Sequence, residues 1–95
     1  MNYELRALAE ADMVEIGRYT AETYSAAQAR KYLASLDTLF ALLASQPTLG
    51  AATELGATLR RMPHHEHIIY YQPRSSGGIV IIRVLHKRML PSTHL

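Results

Sequence analysis

The sequence predicts one α+β domain over residues 1–95, with a helical hairpin packed on a mainly antiparallel sheet in the order βααβββ. Three observations predict it. Two segments before Pro47 repeat their apolar residues at a helical period and are joined by one or two residues, which makes them antiparallel neighbours. Three later segments are rich in β-branched and aromatic residues and are separated by turn chemistry. The hairpin must bury its apolar stripe, and one face of a sheet is the surface available for that.

Taken in order, Tyr3-Glu4-Leu5-Arg6 alternates apolar and polar residues and suits a short strand with Tyr3 and Leu5 inward. Residues 8–23 suit a helix, because Ala9, Met13, Ile16, Gly17 and Thr20 share one face while Asp12, Glu15, Arg18 and Glu22 lie mostly opposite. Gly17 inside that helix costs about 1 kcal/mol against Ala, a cost offset if a second helix approaches closely there. Ser25 is a good N-cap for that second helix, whose stripe is Ala29, Leu33, Leu36, Phe40 and Leu43, widened by Leu39 and Leu42. Pro47 restricts Gln46 to extended conformations, so the helix is expected to stop near Ser45.

Residues 47–57 are expected to form a loop with two glycines and no Lys or Arg. Strands are expected at about Thr58–Met62, His67–Gln72 and Ile79–His86, with Pro73 to Gly78 as the turn of a hairpin. The last strand is nearly continuous in Ile, Val and Leu, which suits a central strand covered on both faces. Pro91 bars the tail, Lys87 to Leu95, from continuing a central strand.

The bulk properties exclude several classes. With 48% hydrophobic and 19% charged residues the chain is a folding sequence and not a disordered one. It has no cysteine, so disulfides and thiolate metal sites are excluded. Met1 to Arg6 holds no apolar run or cleavage-like site, and Ile79 to Ile82 is too short to span a bilayer. A soluble, cytoplasmic protein is therefore expected. The net charge of +2 hides an asymmetry. Residues 1–59 carry four cations against seven anions, a balance of −3, whereas residues 60–95 carry six cations and only Glu66, a balance of +5. A basic second half fits an acidic partner, either nucleic acid or an acidic protein segment, beside the plainer reading of solvated surface charge.

Particular residues carry the resemblance to a known family. They are Ala9, Asp12-Met13, Ile16 and Tyr19 on the first helix, then Pro47-x-x-Gly50 after the second. Leu59-Arg60-Arg61 and the strand Ile68-Ile69-Tyr70-Tyr71 follow, and then the block Ile82-Arg83-Val84-Leu85-His86-Lys87-Arg88-Met89, with His94-Leu95 closing the chain. In this order and spacing, over nearly the whole chain, they resemble the RelE/ParE toxin superfamily and its ParE branch more closely. Ala7 stands where a Ser or Thr cap is expected, and His64-His65-Glu66-His67 has no counterpart in the pattern.

The resemblance implies the same βααβββ fold and the toxin half of a type II toxin–antitoxin pair, with growth arrest and plasmid stabilisation as its consequences. It implies inhibition of DNA gyrase by binding, with no catalytic residue and no cofactor, and neutralisation by a ParD-like antitoxin through which alone DNA is contacted. For the target surface the candidates are His86, Lys87, Arg88 and Met89, with Arg60, Arg61 and Arg83 shaping the adjoining surface. For the antitoxin they are Val14, Leu39, Leu42, Tyr71 and Arg83, reached by a helix in a groove or by pairing to a strand edge.

The alternative is a RelE-like ribosome-dependent mRNA endonuclease. Such chemistry needs a base for the 2′-hydroxyl, a proton donor and cations for the transition state. Arg60 or Arg61, Arg83, His86 and Arg88 supply cations, but loop 47–57 is uncharged apart from Glu54 and no tyrosine follows Tyr71. No metal site is expected: His65 and His67 would share a strand face, but a third ligand is not evident, and an exposed turn explains these histidines. Arg83 inside an apolar strand demands a partner; it either pairs with a helix carboxylate such as Asp12 or Glu15, or faces an open groove. Tyr70 and Tyr71 point to opposite faces, one to the core and the other to a groove beside Arg61.

Overall fold

A computed structural model describes residues 2–95. The chain runs β1 (Tyr3–Leu5), α1 (Ala7–Thr23), α2 (Ala26–Ser45), β2 (Ala51–Ala52), β3 (Arg60–His64), β4 (His67–Pro73), β5 (Ile79–His86) and α3 (Pro91–His94). The strands form one sheet in the order β1-β5-β4-β3-β2. β1 pairs with β5 in parallel and every other pairing is antiparallel. The expected βααβββ order stands, with two short additions, β2 and α3.

The hairpin forms for the reasons read from its sequence. Ser25 caps α2, its hydroxyl accepting from the Gln28 amide at 3.0 Å. α1 starts at Ala7, so the cap position falls on Arg6 and not on Ala7 as expected, and no side chain caps the helix. A Cβ on Gly17 would stand 3.0 Å from Leu33 Cδ1, so the glycine does let the two helices close on each other. The stripes of both helices, Ala9 and Ile16 with Leu36, Phe40 and Leu43, then bury against Ile69, Tyr71, Ile79, Ile81 and Val84 of the sheet. Fully burying each Val, Leu, Ile or Phe side chain among them is worth about 1.5–3 kcal/mol.

The far face carries a second cluster of Leu59, Ile68, Tyr70 and Leu85, with Ile82 and Met89 against it. β5 is thus covered on both faces, as its continuous apolar run predicts. Its alternation breaks once. Tyr71 pairs with Ile81 but Tyr70 with Arg83, so Ile82 is the extra residue of a β-bulge. The bulge sends Ile79, Ile81 and Val84 to the helix side and Ile82 and Leu85 to the other.

Two boundaries differ from expectation. β3 lies at Arg60–His64 instead of Thr58–Met62, and the β3–β4 turn is His65-Glu66. His65 therefore does not share a strand face with His67; it sits in the turn at φ 51°, while His64 and His67 pair across the hairpin.

Candidate functional site

The end of β5 is shaped by what its backbone does after His86. The Lys87 amide donates to the Glu66 carbonyl at 2.9 Å, which ties the tail to the β3–β4 turn. The Met89 amide returns to the His86 carbonyl at 2.9 Å, and the Arg88 amide donates to His86 Nδ1 at 3.1 Å. This tight turn leaves Lys87 and Arg88 exposed, keeps His86 half-buried, and folds Met89 back onto the far-face cluster. The four candidate toxicity residues are adjacent, but only two present their side chains freely.

Of the two readings of Arg83, the ion pair with Asp12 is the one found, and the open groove with its target and antitoxin roles is the one corrected. Arg83 Nε and Nη2 donate to the two carboxylate oxygens of Asp12, each at 2.8 Å, and its Nη1 donates to the His94 carbonyl at 2.8 Å. The side chains of Arg83 and Asp12 are only 14% and 13% exposed, so Arg83 faces no open groove and offers little to a target or an antitoxin. The geometry has a cause in the topology. β1 pairs only with Ile79 to Ile81, so β5 has a bare edge beyond that point. Asp12 Oδ2 covers it by accepting from the Val84 amide at 2.9 Å. One carboxylate on α1 thus caps a strand edge and holds the guanidinium, and these hydrogen bonds raise the pKa of Arg83.

Tyr71 is a second correction. It is fully buried and lines no groove: its hydroxyl donates to the Pro47 carbonyl at 2.7 Å and accepts from the Gly50 amide at 2.9 Å. Burial raises its pKa. Gly50 is required there, because a Cβ would meet Tyr71 Oη at 2.6 Å and the Arg61 carbonyl at 2.7 Å. Tyr70 is buried too, in the far-face cluster. Arg60 Nη1 donates to the Gly50 carbonyl at 2.6 Å, so its guanidinium is engaged in holding the same loop. Arg61 stands half-buried between Ala51 and Tyr70 in the sheet.

Beside the exposed turn lies a cleft of about 990 Å³ that sequence reading missed. It opens between the end of the helical hairpin (Tyr19, Tyr24, Ser25, Tyr32) and the end of the sheet (His65, His67, His86, Arg88). Tyr32 Oη is 2.7 Å from His67 Nδ1, and Ser35 Oγ is 2.9 Å from His64 Nε2, so α2 is tied to both flanks of the β3–β4 turn. The His67 and His86 rings meet edge to face at 5.6 Å. Burial first, and then the neighbouring His86, lower the pKa of His67; burial, then His65, lower that of His64. Burial, assisted by the Glu66 carboxylate, pushes Tyr32 up to about 12. Tyr32 and Ser35 could have been flagged only by pairing their helix face with the histidine cluster, which lies about thirty residues away in sequence. Among the described residues, no group of three His, Cys, Asp or Glu side chains is placed to hold a metal ion.

Residues 3–91 match the family model described as "ParE toxin of type II toxin-antitoxin system, parDE". The chain belongs to the ParE toxin family. It is 36% identical to "Toxin ParE" of Escherichia coli over 98% of this chain and 91% of that protein. It is 33% identical to "Toxin ParE1" of Caulobacter vibrioides over 98% and 96%, and 32% identical to "Toxin ParE1" of Mycobacterium tuberculosis over 92% and 90%. Its fold matches a chain of a solved structure described as "Chromosomal ParDE TA system from P. aeruginosa". The TM-score is 0.77 at 16% identity, covering 90% of this chain and 95% of that one.

Within this ParE-family fold the remaining candidates separate by exposure. Val14 is 73% exposed and Leu42 41% exposed, whereas Leu39 is half-buried against the core. Ala7 and Ala11 are exposed beside Val14 on α1. Among the described residues no helix is long and apolar enough to cross a membrane.

Proposed function

We propose that this chain is a toxin that arrests growth by binding DNA gyrase in the cytoplasm, and that a ParD-like antitoxin neutralises it. Membership of the ParE toxin family supports the reading, and the resemblance supplies gyrase as the target. The observation that carries it is the exposed Lys87-Arg88 turn, held rigid by three backbone amides at the end of a strand buried on both faces. A rigid cationic edge suits recognition of a macromolecule, since little ordering entropy is lost on docking. His86 and Met89 set the shape of that edge, with Arg61 on the adjoining surface.

A binding mode is favoured over RNA cleavage because two of the cations a nuclease would draw on are engaged elsewhere, Arg60 by Gly50 and Arg83 by Asp12. For the antitoxin, the exposed apolar side chains of Val14 and Leu42 and the short edge strand β2 are the surfaces proposed; Tyr71 and Arg83 drop out. The complex is then a toxin–antitoxin hetero-oligomer that touches DNA only through the antitoxin. Purified protein should inhibit gyrase supercoiling and leave ribosome-bound mRNA intact. Cleavage of the mRNA with supercoiling unaffected would overturn the reading.

A further inference from the structure

We propose that His86 is the positioning residue of the Lys87-Arg88 edge and works as a proton-controlled hook: its neutral ring holds the Arg88 amide, and a protonated ring lets it go. The proposal rests on the reading of this edge as the surface that meets gyrase, and adds the condition under which the edge is assembled.

The Arg88 backbone amide lies 3.1 Å from His86 Nδ1. A backbone N–H can only donate, so Nδ1 is the acceptor and carries no proton; the ring is then neutral, with its hydrogen on Nε2. An imidazolium carries a hydrogen on both nitrogens and has no acceptor to offer, so one protonation removes this bond outright. The other two bonds of the turn, from the Lys87 amide to the Glu66 carbonyl and from the Met89 amide to the His86 carbonyl, join backbone to backbone and do not depend on the ring. They keep the chain folded back while Arg88, between them, loses its anchor. The ring bond has the form of an Asx turn, in which a side-chain acceptor takes the amide two residues on. Asn makes that turn whatever the pH, whereas His makes it only when neutral. What an imidazole adds at this position is sensitivity to protons.

The neighbours of the ring bias it in opposite directions. From β4, the His67 ring meets it edge to face at 5.6 Å, and charges on both rings would repel. Lys87 and Arg88, in the turn itself, also oppose a charge on the ring. From the β3–β4 turn, the Glu66 carboxylate stands 3.9 Å from His86 Nε2, too far for a hydrogen bond but close enough to draw an imidazolium once it forms. His65 lines the same cleft from that turn, and Tyr19, Tyr24 and Tyr32 line it from the helices. Asp12, the α1 carboxylate whose field reaches His67, is engaged by Arg83. Glu66 is thus the carboxylate placed to receive the released ring.

Packing against His67 is the competing role for His86, and the two roles differ in which substitute serves. Packing needs a side chain of similar shape, whereas the hook needs an acceptor bonded to Cγ. Asn and Leu are close in size, and only Asn has that acceptor; Gln carries its amide one carbon farther out.

Isotope-edited NMR on the full chain reads the tautomer of His86 and the hydrogen-exchange protection of the Arg88 amide from about pH 5 to about pH 8, where histidine changes charge. The neutral ring is expected as the Nε2–H tautomer. Protection of the Arg88 amide, corrected for the intrinsic pH dependence of exchange, should fall about 5-fold as the ring takes up its proton. His86→Asn should keep the protection and remove its pH dependence, while His86→Leu and His86→Gln should lose about 5-fold throughout. Melting curves at each pH show which variants are folded, and the first two readings need no variant. Inhibition of supercoiling by the unaltered chain is expressed relative to His86→Asn at each pH, which cancels the pH dependence of gyrase and of His64 and His67. That ratio should fall about 5-fold on acidification, and at the alkaline end His86→Asn should recover most of what His86→Leu loses. A proton on Nδ1 of the neutral ring, or Arg88 protection that stays level while the ring titrates, would overturn the proposal. So would equal protection in the Leu and Asn variants, which would make His86 a packing residue. Failure of the gyrase reading looks different: the Arg88 amide follows the ring and Asn rescues its protection, while supercoiling inhibition ignores both. The hook then stands as a property of the turn, and the contact with gyrase lies elsewhere.

Discussion

Arg83 and Arg88 lie close together in the same basic block, yet one is closed and the other open. Arg83 is wrapped by Asp12 and the His94 carbonyl, and its charge is spent on fastening α1 and the tail to the bare edge of β5. Arg88 projects from a turn held by the Lys87 and Met89 amides on backbone carbonyls and by its own amide on the His86 ring, and its side chain is exposed. The sequence presents both as cations after an apolar run. What separates them is the length of β1: three residues cover the first part of β5, and the strand edge beyond must be capped by a side chain. A basic residue is therefore structural or functional according to which backbone groups around it lack partners.

The largest effect should come from breaking the closed end. Asp12→Ala leaves a largely buried guanidinium and the Val84 amide without their acceptor, and is expected to cost about 3–5 kcal/mol in a denaturation experiment. Replacing Asp12 and Arg83 together by Leu and Met should recover much of that, because no charge is then left stranded. A loss under about 1 kcal/mol for Asp12→Ala would place this pair with exposed surface bridges and erase the contrast with Arg88. Next in size is Tyr71→Phe. It removes one hydroxyl that serves both the Pro47 carbonyl and the Gly50 amide, and should cost about 1–3 kcal/mol in urea unfolding.

The difference between the two arginines also explains what could be foreseen. The hairpin was legible because its signals are local: stripes at a 3.6-residue period, Ser25 as a cap, Pro47 as a stop. β5 was legible because a strand buried on both faces reads as continuous apolar residues. β2 was not, since Ala51 and Ala52 form a strand only by lying against Arg60 and Arg61. The β3–β4 turn was misplaced because His65-Glu66 carries none of the Gly or Asn that marks a tight hairpin. Among the site residues, Asp12 could be named only beside Glu15 as a partner for Arg83, because a cation inside an apolar strand needs a carboxylate but the pattern does not choose which. Tyr71 was misassigned because alternation says only that it and Tyr70 face opposite ways, while both faces proved buried and the interior supplied two loop partners for its hydroxyl. The cleft was invisible, because its tyrosines come from the helices and its histidines from a hairpin far along the chain.

A smaller effect should come from pH. His64 and His67 have pKa values lowered below 6.5 in the folded chain, chiefly by burial, so the unfolded chain binds their protons more readily. Their contribution is fully present above the unfolded value of about 6.5 and is lost as the pH falls through the lowered folded values. Melting temperature should therefore drop on acidification through this window. The double variant His64→Gln, His67→Gln should flatten that drop; an unchanged slope would assign it to other groups.

The smallest effect on stability is expected where the effect on function is greatest. Arg88→Ala removes an exposed side chain from a turn held by backbone bonds, so unfolding free energy should change by no more than about 0.5 kcal/mol. If the open end is the working surface, the same variant should lose most of its inhibition of gyrase supercoiling, and Lys87→Ala should weaken it less, because a lysine offers a point charge and not a planar fork. A destabilised Arg88→Ala would mean that this arginine, like Arg83, has an internal partner. A stable variant with full inhibition would move the contact with gyrase away from the end of β5, leaving the tail as the fastening it already provides through His94.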